Sequence, residues 1–179
     1  MMTTIIAVQQ SDGVTFGADS QVTSGGKIYH DHRMVKITER GQFIIAGSGE
    51  CAPCDIAQHI WQPPTPTASD RKDLYHFMIA KVVPSLKRCF KDNDYKIDVD
   101  DSDETRFSFL IAVAGHVFEI ADDFSVALDS SGYYGVGSGS PYALGALHAG
   151  ASEEEALKIA ASCDAFTSAP FVWMHQAKK

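Results

Sequence analysis

A threonine near the start of the chain carries the clearest chemical signal in the sequence. The chain opens Met1-Met2-Thr3-Thr4, and removal of both methionines would make Thr3 the N-terminal residue. Such a residue combines a hydroxyl nucleophile with an α-amine whose ordinary pKa is about 7.7–8.0. The amine could therefore take the hydroxyl proton near neutral pH, as nucleophilic catalysis requires. The same segment also suits a plain β-strand, because β-branched residues pack well on a pleated surface.

The two methionines decide whether this chemistry is available. A methionine followed by a second methionine is a poor substrate for N-terminal trimming, which prefers a small second residue. Three alternatives stay open: translation starts at Met2, the chain cleaves itself before Thr3, or the chain remains a precursor without a free amine on Thr3.

The cysteines carry a weaker signal. Cys51 and Cys54 have the CxxC spacing of redox motifs, but no second CxxC completes a zinc site, and the other two cysteines are isolated in the sequence. We therefore expect four free thiols on helices, in a reducing compartment.

Two histidines, His30 and His32, flank Asp31. Alternate residues of a strand share one face, so the pair could contribute to a metal site. The sequence marks no third ligand, and we expect neither a metal nor a cofactor. The histidines could instead line a substrate cleft.

The order of motifs in the first twenty residues is distinctive. An apolar run starts at Thr3, a turn follows at 11–13, and a second apolar run ends in Gly17-Ala18-Asp19. This layout resembles the N-terminal-nucleophile hydrolases, most closely the proteasome β-subunits and their bacterial relative HslV. The resemblance covers nearly the whole chain. It implies a threonine endopeptidase that acts on polypeptides.

The resemblance also implies charged partners for Thr3. Asp19 follows Thr3 by sixteen positions, which is the family spacing, and Lys36 lies one residue away from its family spacing. In the family, this lysine keeps the amine neutral by charge repulsion and lowers the pKa of the hydroxyl, and the aspartate fixes the lysine.

Further motifs match the family. Gly47 corresponds to the glycine whose amide forms the oxyanion hole, and Ser138 to the serine that braces the α-amine. Asp164 and Thr167 match the proteasomal Asp-x-x-Ser, with threonine in place of serine. This motif is closer to the proteasome and the chain length is closer to HslV, so the branch stays open.

Specificity in this family depends on residues between the second strand and the first helix. The candidates for substrate binding here are Gln21, Val22, His32 and Cys51.

The composition bounds the class of protein. The 179 residues are 45% hydrophobic, which suits one domain spanning 1–179 with a sizeable core. The net charge of −8 argues against binding to nucleic acid or to anionic membranes. The sequence contains neither a transmembrane run nor a signal peptide, so we expect a cytoplasmic protein.

The elements that must position these residues follow from hydrophobic spacing and turn residues. Hairpins are predicted at 3–20, 34–47 and 107–120, helices at 50–61, 71–90, 140–150 and after a capping box at 152–155, and strands at 133–137 and 171–174. Pro84 predicts a kink or an early end of the second helix. The acidic segment 98–104 predicts a solvated loop.

Groups of strands that alternate with paired helices indicate an α+β protein. The family resemblance sharpens this to a four-layer αββα sandwich. It also implies a homo-oligomeric ring that is opened by an AAA+ ATPase unfoldase. The two long N-terminal helices carry more apolar residues than a sheet contact needs, and we expect an oligomer contact there at Ile56, Ile60, Trp61, Phe77 and Met78.

Two other functions remain open. The chain could be a non-catalytic ring subunit of the same fold that never exposes Thr3. It could also be an amidase or acylase of the N-terminal-nucleophile class.

Overall fold

A computed structural model describes residues 3–24, 26–29, 33–95 and 106–178. The two leading methionines, the His30-Asp31-His32 triplet and the acidic segment 98–104 lie outside these described residues.

The strands run along the described chain in the order β1 (Ile5–Gln9), β2 (Gly13–Asp19), β3 (Val22–Ser24), β4 (Lys27–Tyr29), β5 (Ile37–Arg40), β6 (Phe43–Gly49), β7 (Phe107–Val113), β8 (His116–Ala121), β9 (Val126–Ala127), β10 (Tyr133–Val136) and β11 (Phe171–Ala177). They form a four-stranded sheet in the order β10-β1-β2-β11, a five-stranded sheet in the order β5-β6-β7-β8-β9, and the small β3-β4 hairpin. All strand pairs are antiparallel.

The helices are α1 (Cys51–Asp55), α2 (Leu74–Phe77), α3 (Val83–Asp92), α4 (Ser140–His148) and α5 (Glu153–Cys163). A π-helical segment, Ile56–Ile60, continues α1, and a second one, Met78–Val82, joins α2 to α3. A short 3-10 turn covers Asp70–Lys72. The predicted capping box at the start of α5 is confirmed, because Ser152 and Glu155 each bond the other's backbone amide.

The two sheets and the helices outside them form four layers, with three apolar clusters packed between neighbouring layers. Alternation along the strands creates them, since neighbouring residues point to opposite faces of a sheet. In β1, Ile5 lies in the cluster between the two sheets and Ile6 in the cluster against α4 and α5. In β6, Ile44 faces the other sheet and Ile45 faces the helices around α1 and α3. The predicted αββα sandwich is therefore confirmed.

Of the two alternatives predicted for the second long helix at Pro84, a kink or an early end, the early end is wrong. The helix does not end at Pro84 but continues through α3 to Asp92. Proline lacks an N–H donor, and its ring clashes with the carbonyl four residues earlier in a regular helix. The π-helical segment Met78–Val82 lies immediately before α3 and contains that carbonyl, so a widened turn accommodates the proline.

The predicted oligomer contact is wrong in most of its residues. Four of the five are buried in the chain's own core, with exposed fractions of 8% or less: Ile56, Trp61, Phe77 and Met78. These side chains fill the layer between the helices and the five-stranded sheet. The apolar side chains exposed on this face are Ile60, Tyr75 and Ile79.

Helix length and polarity also bear on membrane insertion. No helix in the described part of the chain combines the length and apolar character needed to cross a bilayer.

Candidate active site

The carboxylate of Asp19 holds three groups on one oxygen. Its Oδ1 accepts hydrogen bonds from Thr3 Oγ1 at 2.5 Å, from Lys36 Nζ at 2.7 Å and from the Thr4 amide at 2.9 Å. The structure thus brings the candidate nucleophile, aspartate and lysine to a single point. The threonine hydroxyl and the lysine ammonium share one acceptor atom.

The second carboxylate oxygen is held by the backbone. Asp19 Oδ2 accepts from the Gln21 amide at 3.0 Å and from the Ser168 amide at 3.4 Å. These donors fix the plane of the carboxylate, and hydrogen bonds to a charged acceptor are stronger than those between neutral groups. The contribution of Ser168 was missed at the sequence level, because it lies 149 residues from Asp19.

The pair of Lys36 and Asp19 is fully enclosed. Their side chains are 2% and 0% exposed. Burial lowers the pKa of Lys36, while the charge and hydrogen bond of Asp19, and the charge of Asp164, act in the opposite direction. The lysine is therefore a desolvated cation that depends on its partner.

Strands β1 and β2 and the residue that precedes β5 position Thr3, Asp19 and Lys36. The β1-β2 hairpin pairs Ile5 with Ala18, and the Asp19 amide donates to Thr4 O at 3.1 Å, so the start of β1 lies beside the end of β2. Lys36 lies just before β5, and its carbonyl accepts the Gly47 amide of β6 at 3.2 Å. Lys36 thus extends from the five-stranded sheet to Asp19 at the end of β2 in the four-stranded sheet.

A second set of contacts holds the backbone of Thr3. Its carbonyl accepts from the Gly139 amide at 3.3 Å and from Ser138 Oγ at 3.5 Å. Ser138 Oγ also donates to Asp164 Oδ2 at 2.9 Å. Gly137 has a φ of 96°, and a Cβ on it would collide with the Thr3 carbonyl, so this approach requires glycine.

Hydroxyl groups continue this second set toward Thr4. Thr167 Oγ1 donates to Asp164 Oδ2 at 2.6 Å and lies 2.6 Å from Thr4 Oγ1. The side chains of Thr4 and Thr167 are buried. A Cβ on Gly139 would collide with Thr4 Oγ1, so the loop after β10 also closes over this threonine.

The amide of Gly47 does not fit the predicted role of oxyanion donor, because it already bonds to Lys36 O. Amide directions alternate along an antiparallel strand, and the Glu50 amide bonds Arg106 O on the other side of β6. The Gly49 amide therefore points to the same edge as that of Gly47, beyond the start of β5. Gly49 has a φ of 110°, and a Cβ on it would collide with Arg106 O. Sequence spacing alone did not separate the two glycines.

The predicted substrate-binding residues have different surroundings. The side chains of Gln21 and Val22 are 6% and 2% exposed, and Gln21 Nε2 donates to Thr23 Oγ1 at 3.0 Å. Cys51 is exposed at the first position of α1. His32 lies outside the described residues.

The four cysteines are free and lie on helices, as predicted. Cys54 packs beneath β6, where burial raises the pKa of its thiol to about 12. A buried neutral thiol is a poor nucleophile. The geometry therefore favours a packing role for Cys54.

Comparisons with known proteins agree on the fold. No known family model matches the sequence. Among solved structures, the chain is similar to Thiobacillus denitrificans BPH in complex with epoxomicin, with a TM-score of 0.73 and 21% identity over 98% of this chain and 99% of that one. It is also similar to eukaryotic HslV from Trypanosoma brucei, with a TM-score of 0.61 and 22% identity over 96% and 98% of the two chains.

A third structure is Anbu, an ancestral beta-subunit from Yersinia bercovieri, with a TM-score of 0.66 and 12% identity over 97% of this chain and 81% of that one. At these identities the likeness establishes the fold. The chain has the N-terminal-nucleophile hydrolase fold of the proteasome β-subunit and HslV type, as the sequence motifs predicted.

Proposed function

We propose that this chain is a threonine endopeptidase whose nucleophile is Thr3, made N-terminal by loss of Met1 and Met2. One observation carries the proposal: Thr3 Oγ1 and Lys36 Nζ meet on the same oxygen of Asp19, 2.5 and 2.7 Å away. A structural ion pair alone would not require a hydroxyl at the very start of the first strand.

In the first step, Thr3 Oγ1 attacks the carbonyl carbon of the scissile peptide. The hydroxyl proton passes to the α-amine of Thr3, and a bond forms between Oγ1 and carbon. Lys36 favours a neutral amine by charge repulsion and stabilises negative charge on the oxygen. Asp19 holds the lysine and, through five donors, stays in place while charge moves nearby.

Negative charge then develops on the carbonyl oxygen of the substrate. We assign its stabilisation to the Gly49 amide, which points to the lysine side of β6. Fixed backbone donors aimed at such an oxygen supply a large part of catalysis in acyl transfer.

Collapse of this intermediate expels the amine of the leaving peptide, which takes the proton held by the α-amine. An ester between Thr3 and the remaining peptide is left, and water hydrolyses it with the same amine as base. Ser138, Asp164 and Thr167 hold the start of the chain so that the amine and hydroxyl keep their relative positions.

Activation is part of this proposal. In the full chain Thr3 is 0% exposed and its nitrogen belongs to a peptide bond, so it is neither accessible nor basic. The same observation favours one alternative, a non-catalytic subunit that retains Met1-Met2. We propose that the active form begins at Thr3.

The test starts from intact mass measurement of the purified protein. We expect a chain that begins at Thr3, hydrolyses fluorogenic peptides and is inhibited by epoxomicin, the compound bound to the similar Thiobacillus denitrificans protein. Thr3→Ala is the negative control and Thr3→Ser a partial one. A chain that keeps both methionines, or full hydrolysis by Thr3→Ala, would overturn the proposal.

Acyl-amide substrates, assayed beside the peptides, test the amidase or acylase alternative. Faster hydrolysis of acyl amides than of peptides would favour it.

We further propose a cytoplasmic homo-oligomeric ring that confines Thr3, with polypeptide substrates delivered by an AAA+ ATPase. Of the pocket candidates, the exposed Cys51 would face this chamber and His32 stays a candidate, whereas Gln21 and Val22, at 6% and 2% exposed, are enclosed by the chain itself. Light scattering should report a large multiple of the 19.4 kDa chain mass. A fully active monomer would contradict the ring.

A further inference from the structure

A buried glutamine reaches the backbone of Lys36 from the opposite layer. Gln58 lies in the π-helical segment Ile56–Ile60, and its side chain is 2% exposed. Its Nε2 donates to Lys36 O at 2.7 Å and lies 3.4 Å from Ile45 O. A side chain of the helix layer therefore bonds the main chain of the candidate catalytic lysine.

The helix face around Gln58 is otherwise apolar. Cys54, Ala57 and Trp61 share this face and are each 1% exposed or less. Burying an amide in such surroundings costs free energy unless it is hydrogen-bonded, so its bond to Lys36 O is what distinguishes it from its neighbours. Wide π-helical turns inside helices are frequent at functional sites.

The hydrogen bond from Gln58 acts on the backbone from which the Lys36 side chain extends. Lys36 lies one residue before β5, and its carbonyl accepts two hydrogen bonds: one from the Gly47 amide of β6 at 3.2 Å and a shorter one from Gln58 at 2.7 Å. The lysine stem leaves this backbone and ends 2.7 Å from Asp19 Oδ1. A displacement of the backbone is therefore passed on to the ammonium.

We propose that Gln58 is a positioning residue that fixes the backbone of Lys36 and thereby sets the ammonium of Lys36 on Asp19. This inference rests on the proposed function of Lys36. Its purpose is distinct from packing, since an apolar side chain of equal size could fill the same space but could not hold the Lys36 carbonyl.

The test compares full chains carrying Gln58→Met, Gln58→Asn and, as a matched control, Gln176→Met. Methionine keeps the volume of glutamine and removes the donor, and asparagine keeps the amide one methylene too short. Gln176 Nε2 also donates to a main-chain carbonyl, that of Gln42 at 3.0 Å, in the part of β11 that pairs with the start of β2. If Gln58→Met does not fold, Gln58→Asn carries the test.

Two readouts separate positioning from stability. The first is the pKa of Lys36, followed by NMR of labelled lysine in each variant. The groups that face this ammonium are Asp19, which holds its pKa up, and Asp164. We expect a lower pKa in both Gln58 variants, because the ammonium loses Asp19 while it stays buried, and no change in Gln176→Met.

The second readout is peptide hydrolysis by the form that begins at Thr3. We expect kcat to fall about tenfold or more in the Gln58 variants, with KM within about twofold of the original, because a misplaced group loses rate without losing substrate contacts. An unchanged or raised pKa of Lys36 in both Gln58 variants would overturn the role of Gln58. If the form that begins at Thr3 has no peptidase activity without any Gln58 substitution, the proposed function is overturned instead. The NMR comparison would still test the role of Gln58.

Discussion

The contacts on the two sides of Thr3 differ in kind. On one side, its hydroxyl donates to Asp19, which also pairs with Lys36, and the side chains of this ion pair are almost fully enclosed. On the other side, its carbonyl meets Ser138 and Gly139, next to a half-buried Asp164. The first side carries charge in a buried environment, and the second consists of neutral donors around one partly exposed carboxylate.

This difference separates two tasks. A buried charge pair can alter proton affinity strongly, because the interaction of charges is weakly screened there. Hydroxyl and amide contacts near solvent contribute about 0.5–1.5 kcal/mol each and mainly fix position. We therefore expect the ion-pair side to control the chemistry of Thr3 and the hydroxyl side to control its placement.

The largest effect should follow from removing the group that both sides serve. Thr3→Ala removes only the hydroxyl, so hydrolysis should be lost while far-ultraviolet circular dichroism stays unchanged. Thr4→Val is the matched change one residue later, since it removes a buried hydroxyl that bonds Thr167 at 2.6 Å. We expect Thr4→Val to retain measurable hydrolysis, and equal loss in the two variants would erase the distinction between them.

Breaking the ion pair should have the second largest effect on hydrolysis, and the two substitutions should differ in their effect on stability. Lys36→Met should lower kcat by at least about 10²-fold, by analogy with the loss of a general acid–base group. Asp19→Asn should also lower kcat and should cost about 3–5 kcal/mol in the free energy of unfolding, because it leaves a buried ammonium unpaired. Urea denaturation of both variants measures this. A smaller stability loss in Asp19→Asn than in Lys36→Met would contradict the account.

The hydroxyl side should give a smaller loss. Thr167→Val keeps the shape of the side chain and removes its bonds to Asp164 and Thr4. We expect kcat to fall about tenfold and the unfolding free energy to fall by about 1–2 kcal/mol. Steady-state kinetics and urea denaturation check these values. A loss as large as that of Lys36→Met would mean that both sides take part in proton transfer.

The smallest effect concerns the pH dependence of stability. The native pKa of Lys36 is lowered by burial, so between that pKa and about 10.5 the unfolded chain binds more protons than the native one. The contribution of this group to stability therefore rises with pH across that window and is constant below it. Chemical denaturation should be measured for Thr3→Ala and for the double variant that also carries Lys36→Met. As pH rises, the free energy of unfolding of Thr3→Ala should increase relative to that of the double variant. A flat difference would mean that the native pKa of Lys36 is ordinary.

Some of the molecule could be predicted from local sequence. The turn at 11–13 predicted the hairpin that β1 and β2 form. Ser152 and Glu155 predicted the start of α5. These features depend on neighbours in the sequence, such as turn residues and capping side chains. The resemblance carried by Thr3 and Asp19 then supplied the layer order, which composition alone did not.

Other features depended on contacts between distant segments, and the tertiary structure decided them. Gly47 and Gly49 have the same residue type and similar neighbours, and only the pairing of β6 with Lys36 showed which amide is engaged. Trp61 and Met78 appeared to be surplus apolar residues, yet the thickness of the helix layer buries them in the chain's own core.

The sequence by itself predicted a candidate nucleophile and its charged partners and determined the alternation that builds four layers, because each depends on residue type and short-range spacing. The tertiary structure decided which backbone groups surround them. Ser168 bonds a carboxylate 149 residues away, and Gln58 bonds a carbonyl 22 residues away. Hydrogen bonds of this kind leave no trace in local spacing, since they exist only once the two sheets and the helix layer have packed together.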